Sequence, residues 1–320
     1  MRIVSVEPPG RGDTYQQGVA LITAMLVVAI ATVTVVAMMS QQHMTIRRTG
    51  SLLYSDQAFE LALGVEAWAK GVLIEDLKTN KFDGSGDLWT RPLPQTEVRG
   101  GEIGGRIEDL QGRFNLNNLI QNGKVDDASV GRFKRLLRMA GVDEGIAQAV
   151  LDWMDADNGV RFPDGAEDAH YKLQQPPYLA ANRMMTSVSE LRMIKGIDNK
   201  MYIKLRSHLT ALPERTAINV NSATPLVLAS LGNTLAVEHM RQLIERTTET
   251  PWDSLDAFRQ EPEIGGLDLA DGVAAVSSNY FSVTAEVRQD YLKLSMSSRL
   301  QRTNEGKVSV LSRVHRGGDE

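Results

Sequence analysis

The chain has 320 residues and a formal net charge of −5, with 35 Lys and Arg against 40 Asp and Glu. Because binding to phosphate backbones requires a basic field, this acidic balance gives no support for nucleic acid as the main partner. The sequence contains no cysteine, which excludes disulfides, thiolate metal sites and a cysteine nucleophile.

The first recognisable element is an uncharged apolar run at residues 19–39, VALITAMLVVAIATVTVVAMM. As a helix rising ~1.5 Å per residue, this run would be about 31 Å long, which matches the hydrocarbon core of a bilayer. It is long for the apolar core of a secretory signal, and no small-x-small cleavage motif follows it. The alternative is a buried helix of a soluble protein, which would need apolar partners on every face. The run therefore predicts a membrane span.

Helical periodicity continues beyond this run. Apolar residues recur in steps of four and three at Tyr54, Ala58, Leu61, Val65, Trp68 and Val72. We expect one helix of about 55 residues, whose second half either covers a sheet or forms a coiled-coil seam.

Strand patterns lie on both sides of a long central region. Residues 83–105 are rich in Gly and Pro and are predicted to form loops, followed by a short strand at 106–110. Strict alternation returns at residues 280–287, 292–300 and 308–314. Three antiparallel strands with one apolar face need a cover, and the long N-terminal helix can supply it.

The central region, about residues 114–276, has helical spacing. The predicted helical segments are 130–139, 146–154, 188–194, 201–209, 225–231 and 237–244. The pattern predicts an α domain inserted into a helix-plus-sheet domain, which is feasible when the ends of the insertion lie close together. We therefore predict an α+β fold in which residues 40–112 and 277–320 form one domain and residues 113–276 form the insertion.

Residues 152–168, DWMDADNGVRFPDGAED, form a strongly acidic segment. Its oxygen-bearing residues are Asp152, Asp155, Asp157, Asn158, Asp164, Glu167 and Asp168. Such crowding is unfavourable unless a cation neutralises it, and Arg161 is the one basic residue within the segment. Oxygen ligands in a flexible loop suit Ca²⁺, although the spacing is not that of an EF-hand. His170 is the only nearby nitrogen ligand, which disfavours zinc.

Two other interpretations of the acidic segment stay open. It could be a solvated loop that caps the following helix, or it could supply paired carboxylates to a hydrolase. Elsewhere the sequence has no nucleophile elbow, zincin or P-loop motif, and its five His residues lie in unrelated patterns. We therefore do not expect an enzyme.

Two segments of the insertion look like parts of a helix-hairpin-helix unit. Residues 189–198, SELRMIKGID, have the pattern of a helix, a glycine turn and a second helix. In residues 218–225, INVNSATP, Asn221 or Ser222 is predicted to cap a helix that carries Thr224 and Pro225 in its first turn. Such units bind DNA backbones elsewhere, but acidic residues dilute the basic ones here, so a structural use is favoured. A DNA-binding, competence-type membrane protein is the alternative.

Several motifs in the same order resemble one family. Gly18 followed by the apolar run resembles a type IV prepilin-like N-terminus. The motifs DLQGRFNLNNL, DWMDADNG…DGAED, YLAANR, SELR and INVNSAT resemble the K-type minor pseudopilins of type II secretion, the general secretion pathway K family. The resemblance extends from about Gln17 to Val314.

The resemblance implies a type IV pilin-like fold, in which a long N-terminal transmembrane helix packs on an antiparallel sheet. It implies a minor pseudopilin that helps nucleate and cap the tip of the pseudopilus and so supports protein export across the outer membrane. Expected partners are the I-type and J-type minor pseudopilins, the major pseudopilin, the prepilin peptidase and the inner-membrane secretion platform. The expected location is the inner membrane, single-pass, with the globular part in the periplasm.

The resemblance also implies roles for individual residues. Residues 1–18 would be a leader, which the prepilin peptidase removes by cutting between Gly18 and Val19 before it methylates the new amine. Thr23 lies at the fifth mature position, where most pseudopilins carry Glu, and its presence favours a place at the tip. Calcium would bind in the α domain, with matching positions at Asp152, Asp155, Asp157, Glu167 and Asp168 and further candidates at Asp164 and Asn182.

Overall fold

The computed structural model of the chain describes the backbone of residues 14–289 and 292–317 and the side chains of residues 19–289 and 292–315. Residues 1–13 of the predicted leader and residues 318–320 lie outside the described residues. The chain divides into two compact units, one up to Gln57 and one from Ala58 onward.

Helix α1 runs from Thr14 to Thr79 and has 66 residues, which is longer than the predicted helix. In the first unit, the side chains of residues 19–49 are all exposed. The most apolar 18-residue window has a mean hydropathy of 2.7 and none of it is buried. These properties do not fit a buried helix of a soluble protein. Within the described residues, α1 is the one helix long and apolar enough to cross a membrane, and it indicates a single-pass anchor.

Eleven strands lie in the described part of the second unit. In chain order they are β1 Leu93–Val98, β2 Gly101–Asp109, β3 Phe114–Asn115, β4 Ile120–Gln121, β5 Lys124–Val125, β6 Leu209–Thr210, β7 Ile218–Asn219, β8 Ala274–Ala275, β9 Tyr280–Gln289, β10 Leu292–Arg302 and β11 Val308–Gly317. The main sheet is antiparallel and has the order β1-β2-β9-β10-β11. The predicted α+β fold and its three C-terminal strands are confirmed.

The prediction of loops over residues 83–105 is wrong for β1 and for the first half of β2. Arg99 and Gly100 form the tight turn between these two strands, where Gly100 has a φ of 105°, and Gly101 opens β2 opposite Val98 with a φ of 154°. Gly105 lies within β2, where a Cβ atom would be 2.5 Å from Val65 Cγ1 of helix α1. The glycines therefore permit a turn and a close contact between helix and sheet, and they do not mark a continuous loop.

The second half of α1 packs on this sheet. Its most buried apolar residues are Ala58, Ala62, Val65, Ala69 and Leu73, which contact apolar side chains of the sheet. The predicted stripe is correct at Ala58 and Val65, whereas Leu61, Trp68 and Val72 are only partly buried along its edges. Three of these five residues are alanines, because a small side chain lets the helix backbone approach the sheet.

The central region has seven α-helices within the described residues. They are α2 Asp127–Met139, α3 Ile146–Met154, α4 Asp168–Tyr171, α5 Asn199–Leu205, α6 Pro225–Ala229, α7 Val237–Thr247 and α8 Leu255–Arg259. A single cluster of buried apolar residues, from Phe114 to Ala274, connects these helices. The bounds of α3 agree with the predicted segment 146–154. The division into an inserted domain at residues 113–276 stays a prediction.

Three local predictions in this region need correction. Residues 188–193 form a 3₁₀ helix instead of an α-helix. Leu209 was predicted as the end of a helix, but α5 ends at Leu205, and Leu209 lies in β6, where it pairs in parallel with Phe114 of β3. The cap of α6 is Thr224, whose side chain accepts a hydrogen bond from the Val227 N–H, and not Asn221 or Ser222. Thr224 can do this because Pro225, at the first helical position, needs no partner for its nitrogen.

Candidate cation site

The acidic segment begins where helix α3 ends. The last turn of α3 buries Asp152 completely, and Asp155 follows in extended conformation as the C-terminal cap. The loop then returns to Glu167, which directly precedes helix α4. The two short helices thus hold both ends of the loop, and carboxylates from distant positions in the loop can meet.

Three carboxylates form a compact group at this place. One oxygen each of Asp155, Asp157 and Glu167 lies within 4.8 Å of the other two. Asp157 is exposed, whereas Glu167 is only 2% exposed and Asp155 8%. The structure thus brings together three of the five predicted ligands.

The buried part of this group lacks hydrogen-bond donors. Within the described residues, neither carboxylate oxygen of Glu167 has a hydrogen-bond partner, and the same holds for Asp155 Oδ1. A buried carboxylate without a partner is strongly unfavourable, so such groups normally have a hydrogen bond, an ion pair or a metal ion. The unpartnered oxygens therefore point to a ligand that supplies positive charge.

The electrostatics of the group agree with this interpretation. Burial, together with the nearby charges of Asp152, Asp155, Asp157 and Asp168, raises the pKa of Glu167 to about 7. Burial also raises the pKa of Asp155, against the lowering effect of Arg161. The carboxylates repel one another in the ion-free protein, and a bound cation would relieve this repulsion.

Asp152 is placed differently from the other predicted ligands. Its two oxygens accept hydrogen bonds from Arg161, from the guanidinium Nη1 at 2.7 Å and from the backbone N–H at 3.0 Å. A Cβ atom on Gly165 would lie 2.1 Å from Asp152 Oδ2, so only glycine fits there. Arg161 Nη1 also contacts Asp155 Oδ2. Sequence reasoning gave Arg161 no role, although its position as the lone basic residue of the segment was the available signal.

The remaining candidates make contacts outside the three-carboxylate group. Asp168 accepts hydrogen bonds from the Ala180 N–H at 3.1 Å and from Lys172 Nζ at 3.3 Å. The carboxylate of Asp164 faces Gly145, where a Cβ atom would be 2.4 Å from Oδ2. Asn182 adopts a positive φ of 46°, and within the described residues its buried Oδ1 has no hydrogen-bond partner. Asn182 Nδ2 donates to Asn158 Oδ1 at 3.4 Å. Its unpartnered oxygen keeps Asn182 a candidate for a neutral ligand.

This donor set fits a hard divalent cation. The three carboxylates of the group are ligands of the type that Ca²⁺ prefers, and a loop leaves space for water as further ligands. His170 Nε2 lies 3.4 Å from Gln174 Nε2, and no histidine belongs to the carboxylate group among the described residues. The residues present therefore fit calcium better than zinc. The five predicted metal ligands stay predictions.

The predicted processing site and the fifth mature position lie in the first unit. Gly18 and Val19 lie within helix α1. The hydroxyl of Thr23 donates to the backbone oxygens of Val19 and Ala20, at 3.0 Å each. Thr23 thus bonds to its own helix and provides no carboxylate at this position. The predicted cut between Gly18 and Val19 stays a prediction.

Comparison with known proteins gives one consistent result. Residues 112–214 and 218–284 match two family models, both described as type II secretion system (T2SS), protein K. The chain is 37% identical to type II secretion system protein K of Pseudomonas aeruginosa over 309 residues, which cover 93% of this chain and 92% of the relative. It is 32% identical to the protein of the same name from Pectobacterium carotovorum subsp. carotovorum, over 94% of this chain and 97% of the relative.

A solved structure has the same fold. It is a chain of the crystal structure of the GspK-GspI-GspJ complex from the enterotoxigenic Escherichia coli type 2 secretion system, with a TM-score of 0.76 and 27% sequence identity. The match covers 85% of this chain and all of the other. Given these matches over nearly the whole length, the chain belongs to the type II secretion system protein K family.

Proposed function

We propose that this chain caps the tip of the type II secretion pseudopilus and helps to nucleate it. The family supports the coarser role, that of a minor pseudopilin and a structural component of secretion. The tip position rests on Thr23, whose hydroxyl bonds to its own helix. A subunit without a carboxylate here cannot neutralise the terminal amine of a neighbouring subunit, so it suits the end of a filament and not its shaft.

The copy number per filament tests the tip position. The chain, with an affinity tag, is expressed with its secretion system under conditions that give long pseudopili, and sheared filaments are analysed by quantitative mass spectrometry. We expect about one copy per filament at every filament length, and more but shorter filaments when the chain is overproduced. A copy number that rises in proportion to filament length would overturn the tip assignment.

The proposed partners at the tip are the I-type and J-type minor pseudopilins. The similar chain from Escherichia coli was crystallised in a complex with GspI and GspJ, and this chain has the same fold. Full-length chain in detergent, mixed with the two partners, is expected to elute as one complex in size-exclusion chromatography. Separate elution of all three proteins would contradict this proposal.

We further propose that the chain is a processed, inner-membrane protein with its globular part in the periplasm. The exposed apolar residues of α1 would lie in the bilayer before assembly and among the helices of the filament afterwards. Mass spectrometry of the N-terminus tests the processing step. A peptide that begins with methylated Val19, found only in cells with the prepilin peptidase, is expected. An uncut chain in both strains would exclude this route.

The acidic group is proposed to bind calcium, which would rigidify the loop between α3 and α4. Support comes from the unpartnered, buried oxygens of Glu167 and their closeness to Asp155 and Asp157. Isothermal titration of the full-length chain with calcium is the test, with Glu167→Gln as the variant and Asp164→Asn as its control. Binding is expected to be lost in the first and kept in the second, because the Asp164 carboxylate faces Gly145. Equal binding by Glu167→Gln and wild type would reject the site.

A further inference from the structure

The lone basic residue of the acidic segment lies between two of the predicted metal ligands. Arg161 Nη1 donates to Asp152 Oδ1 at 2.7 Å and also to Asp155 Oδ2. The backbone N–H of Arg161 holds the second oxygen of Asp152. Arg161 is therefore attached to Asp152 at two points, through main chain and side chain, but to Asp155 only through the guanidinium.

Asp155 is the residue that the guanidinium and the carboxylate group share. Its Oδ2 accepts from Arg161, while its Oδ1 has no hydrogen-bond partner in the described part of the chain. One oxygen of Asp155 also lies within 4.8 Å of oxygens of Asp157 and Glu167. The guanidinium of Arg161 and a divalent cation in the group would thus both interact with the carboxylate of Asp155.

Resting on the proposed calcium site, we propose that Arg161 is a tethered internal cation that competes with calcium for Asp155 and so sets the affinity of the site. In the ion-free protein, the guanidinium neutralises Asp155. When calcium binds, Asp155 coordinates the ion and gives up its hydrogen bond from the guanidinium, while the backbone N–H of Arg161 stays bonded to Asp152. Asp152 is accordingly a positioning residue for Arg161.

The surroundings of Arg161 allow this exchange. Its side chain is 30% exposed, whereas the side chains of Asp152 and Asp155 are 0% and 9% exposed. Its neighbours Val160 and Phe162 are 54% and 89% exposed, so they do not clamp it in place. The guanidinium can therefore move toward solvent without disturbing the core, while Asp152, confined by Gly165, cannot follow.

Calcium titration of full-length variants in detergent tests the competition. We expect Arg161→Gln to bind calcium about tenfold more tightly than wild type, because no charge-assisted hydrogen bond to Asp155 has to be given up. The thermal midpoint of Arg161→Gln should be lower than that of wild type in chelator and should approach it at saturating calcium. Arg161→Lys, which keeps the charge, should bind with an affinity between the two.

Lys195→Gln is the matched control. Lys195 Nζ donates to the backbone oxygens of Asp164 and Gly165, at 3.4 and 3.1 Å, so this variant removes a positive charge that contacts the same loop without touching a carboxylate of the group. Its affinity gain should be less than about twofold, because Lys195 bonds only to backbone oxygens and its half-buried charge is partly screened by solvent. An equal gain in calcium affinity in both variants would mean that only the long-range electrostatic effect of the removed charge matters, and it would overturn the proposal. Weaker binding by Arg161→Gln would also overturn it, because Arg161 would then be a support for the ligands.

Failure of the calcium site itself would give a different pattern. Wild type, Glu167→Gln and Arg161→Gln would all show no calcium binding, and the midpoint of Arg161→Gln would not respond to calcium. The competition would then be excluded together with the site. If wild type binds calcium and Arg161→Gln binds it with unchanged affinity, only the competition is excluded.

Discussion

The guanidinium Nη2 of Arg302 lies 2.6 Å from each carboxylate oxygen of Asp83, and both side chains are buried. Arg302 Nη1 also donates to Asp76 Oδ2 at 3.0 Å, near the end of helix α1. Asp83 Oδ2 accepts in addition from the Ser278 N–H at 2.7 Å. This buried network ties together the end of the long helix, strand β10 and the segment that leads into β9.

Removing Arg302 should therefore be costly. In Arg302→Met, the buried carboxylates of Asp76 and Asp83 lose their cation, and we expect the free energy of unfolding to fall by about 3–5 kcal/mol. Urea unfolding followed by tryptophan fluorescence measures this change, since all four Trp residues lie beyond Gln57. Arg288→Met is the control, because the exposed Arg288 lies 3.8 Å from the half-exposed Glu102, and this variant should lose less than about 1 kcal/mol. A loss of equal size in both variants would contradict the prediction.

Glu66 of helix α1 should make stability depend on pH. Burial alone would raise its pKa, but hydrogen bonds from Arg313, Lys70 and Ser298 lower it to about 2. The folded state therefore binds a proton more weakly than the unfolded state, whose pKa is near 4.5. The resulting stability is present above pH 4.5 and is lost as the pH falls toward 2.

The variant Glu66→Gln isolates this contribution. We expect it to be less stable than wild type at pH 7 by about 1–3 kcal/mol, and the difference should shrink steadily below pH 4.5. Glu60→Gln, at an exposed position on the same helix, should show a much smaller difference. A difference between wild type and Glu66→Gln that is constant from pH 7 to pH 3 would be inconsistent with the low pKa.

Gly105 should be intolerant of even one extra carbon atom. A Cβ atom there would be 2.5 Å from Val65 Cγ1 and 3.2 Å from the Thr284 backbone oxygen. Gly105→Ala should lower the free energy of unfolding by about 1–3 kcal/mol, because the helix has to move away from the sheet. Adding Val65→Ala should restore part of this loss, and Gly71→Ala, with nothing within 4 Å, should not destabilise. Lack of any rescue in the double variant would argue against the helix contact as the cause.

Calcium should stabilise the second unit in a way that depends on Glu167. If calcium binds only the folded form, the free energy of unfolding rises by about 2.7 kcal/mol at a free calcium concentration 100 times Kd. In chelator, Glu167→Gln should be more stable than wild type, because a buried carboxylate without a donor is removed. Thermal unfolding of both proteins with and without calcium measures whether the order of their stabilities reverses when calcium is added. A Glu167→Gln variant that is less stable than wild type in chelator would show that Glu167 has an internal partner.

The sequence allowed prediction of the elements whose signal is local. The apolar run at residues 19–39, the helix at 146–154 and the three C-terminal strands have repeated spacing within themselves, so their neighbours in space were not needed. Strand β1, whose side chains are mostly exposed, has no apolar face to indicate it. Leu209 was assigned to a helix because its pairing with Phe114, far away in the sequence, leaves no local trace.

The candidate site was predictable by type but not by geometry. Acidic composition and the family motif identified the segment, and Asp155, Asp157 and Glu167 do meet. Spacing could not separate these residues from Asp152, whose two oxygens are both occupied by Arg161, one by its guanidinium and the other by its backbone N–H. Such a choice depends on how the loop folds back on helix α3, which is a tertiary property.

The central region leaves the sheet and returns to it at adjacent backbone positions. Asp109, at the end of β2, pairs with Phe281 near the start of β9, and the Leu110 N–H donates to the Tyr280 backbone oxygen at 3.0 Å. For the sheet, everything between these residues is equivalent to one hairpin turn, since strand register is fixed on both sides of the junction. A short glycine-containing turn would thus close the same five strands into a minimal scaffold. Foreign domains with adjacent termini could be carried at this junction without a change in strand pairing.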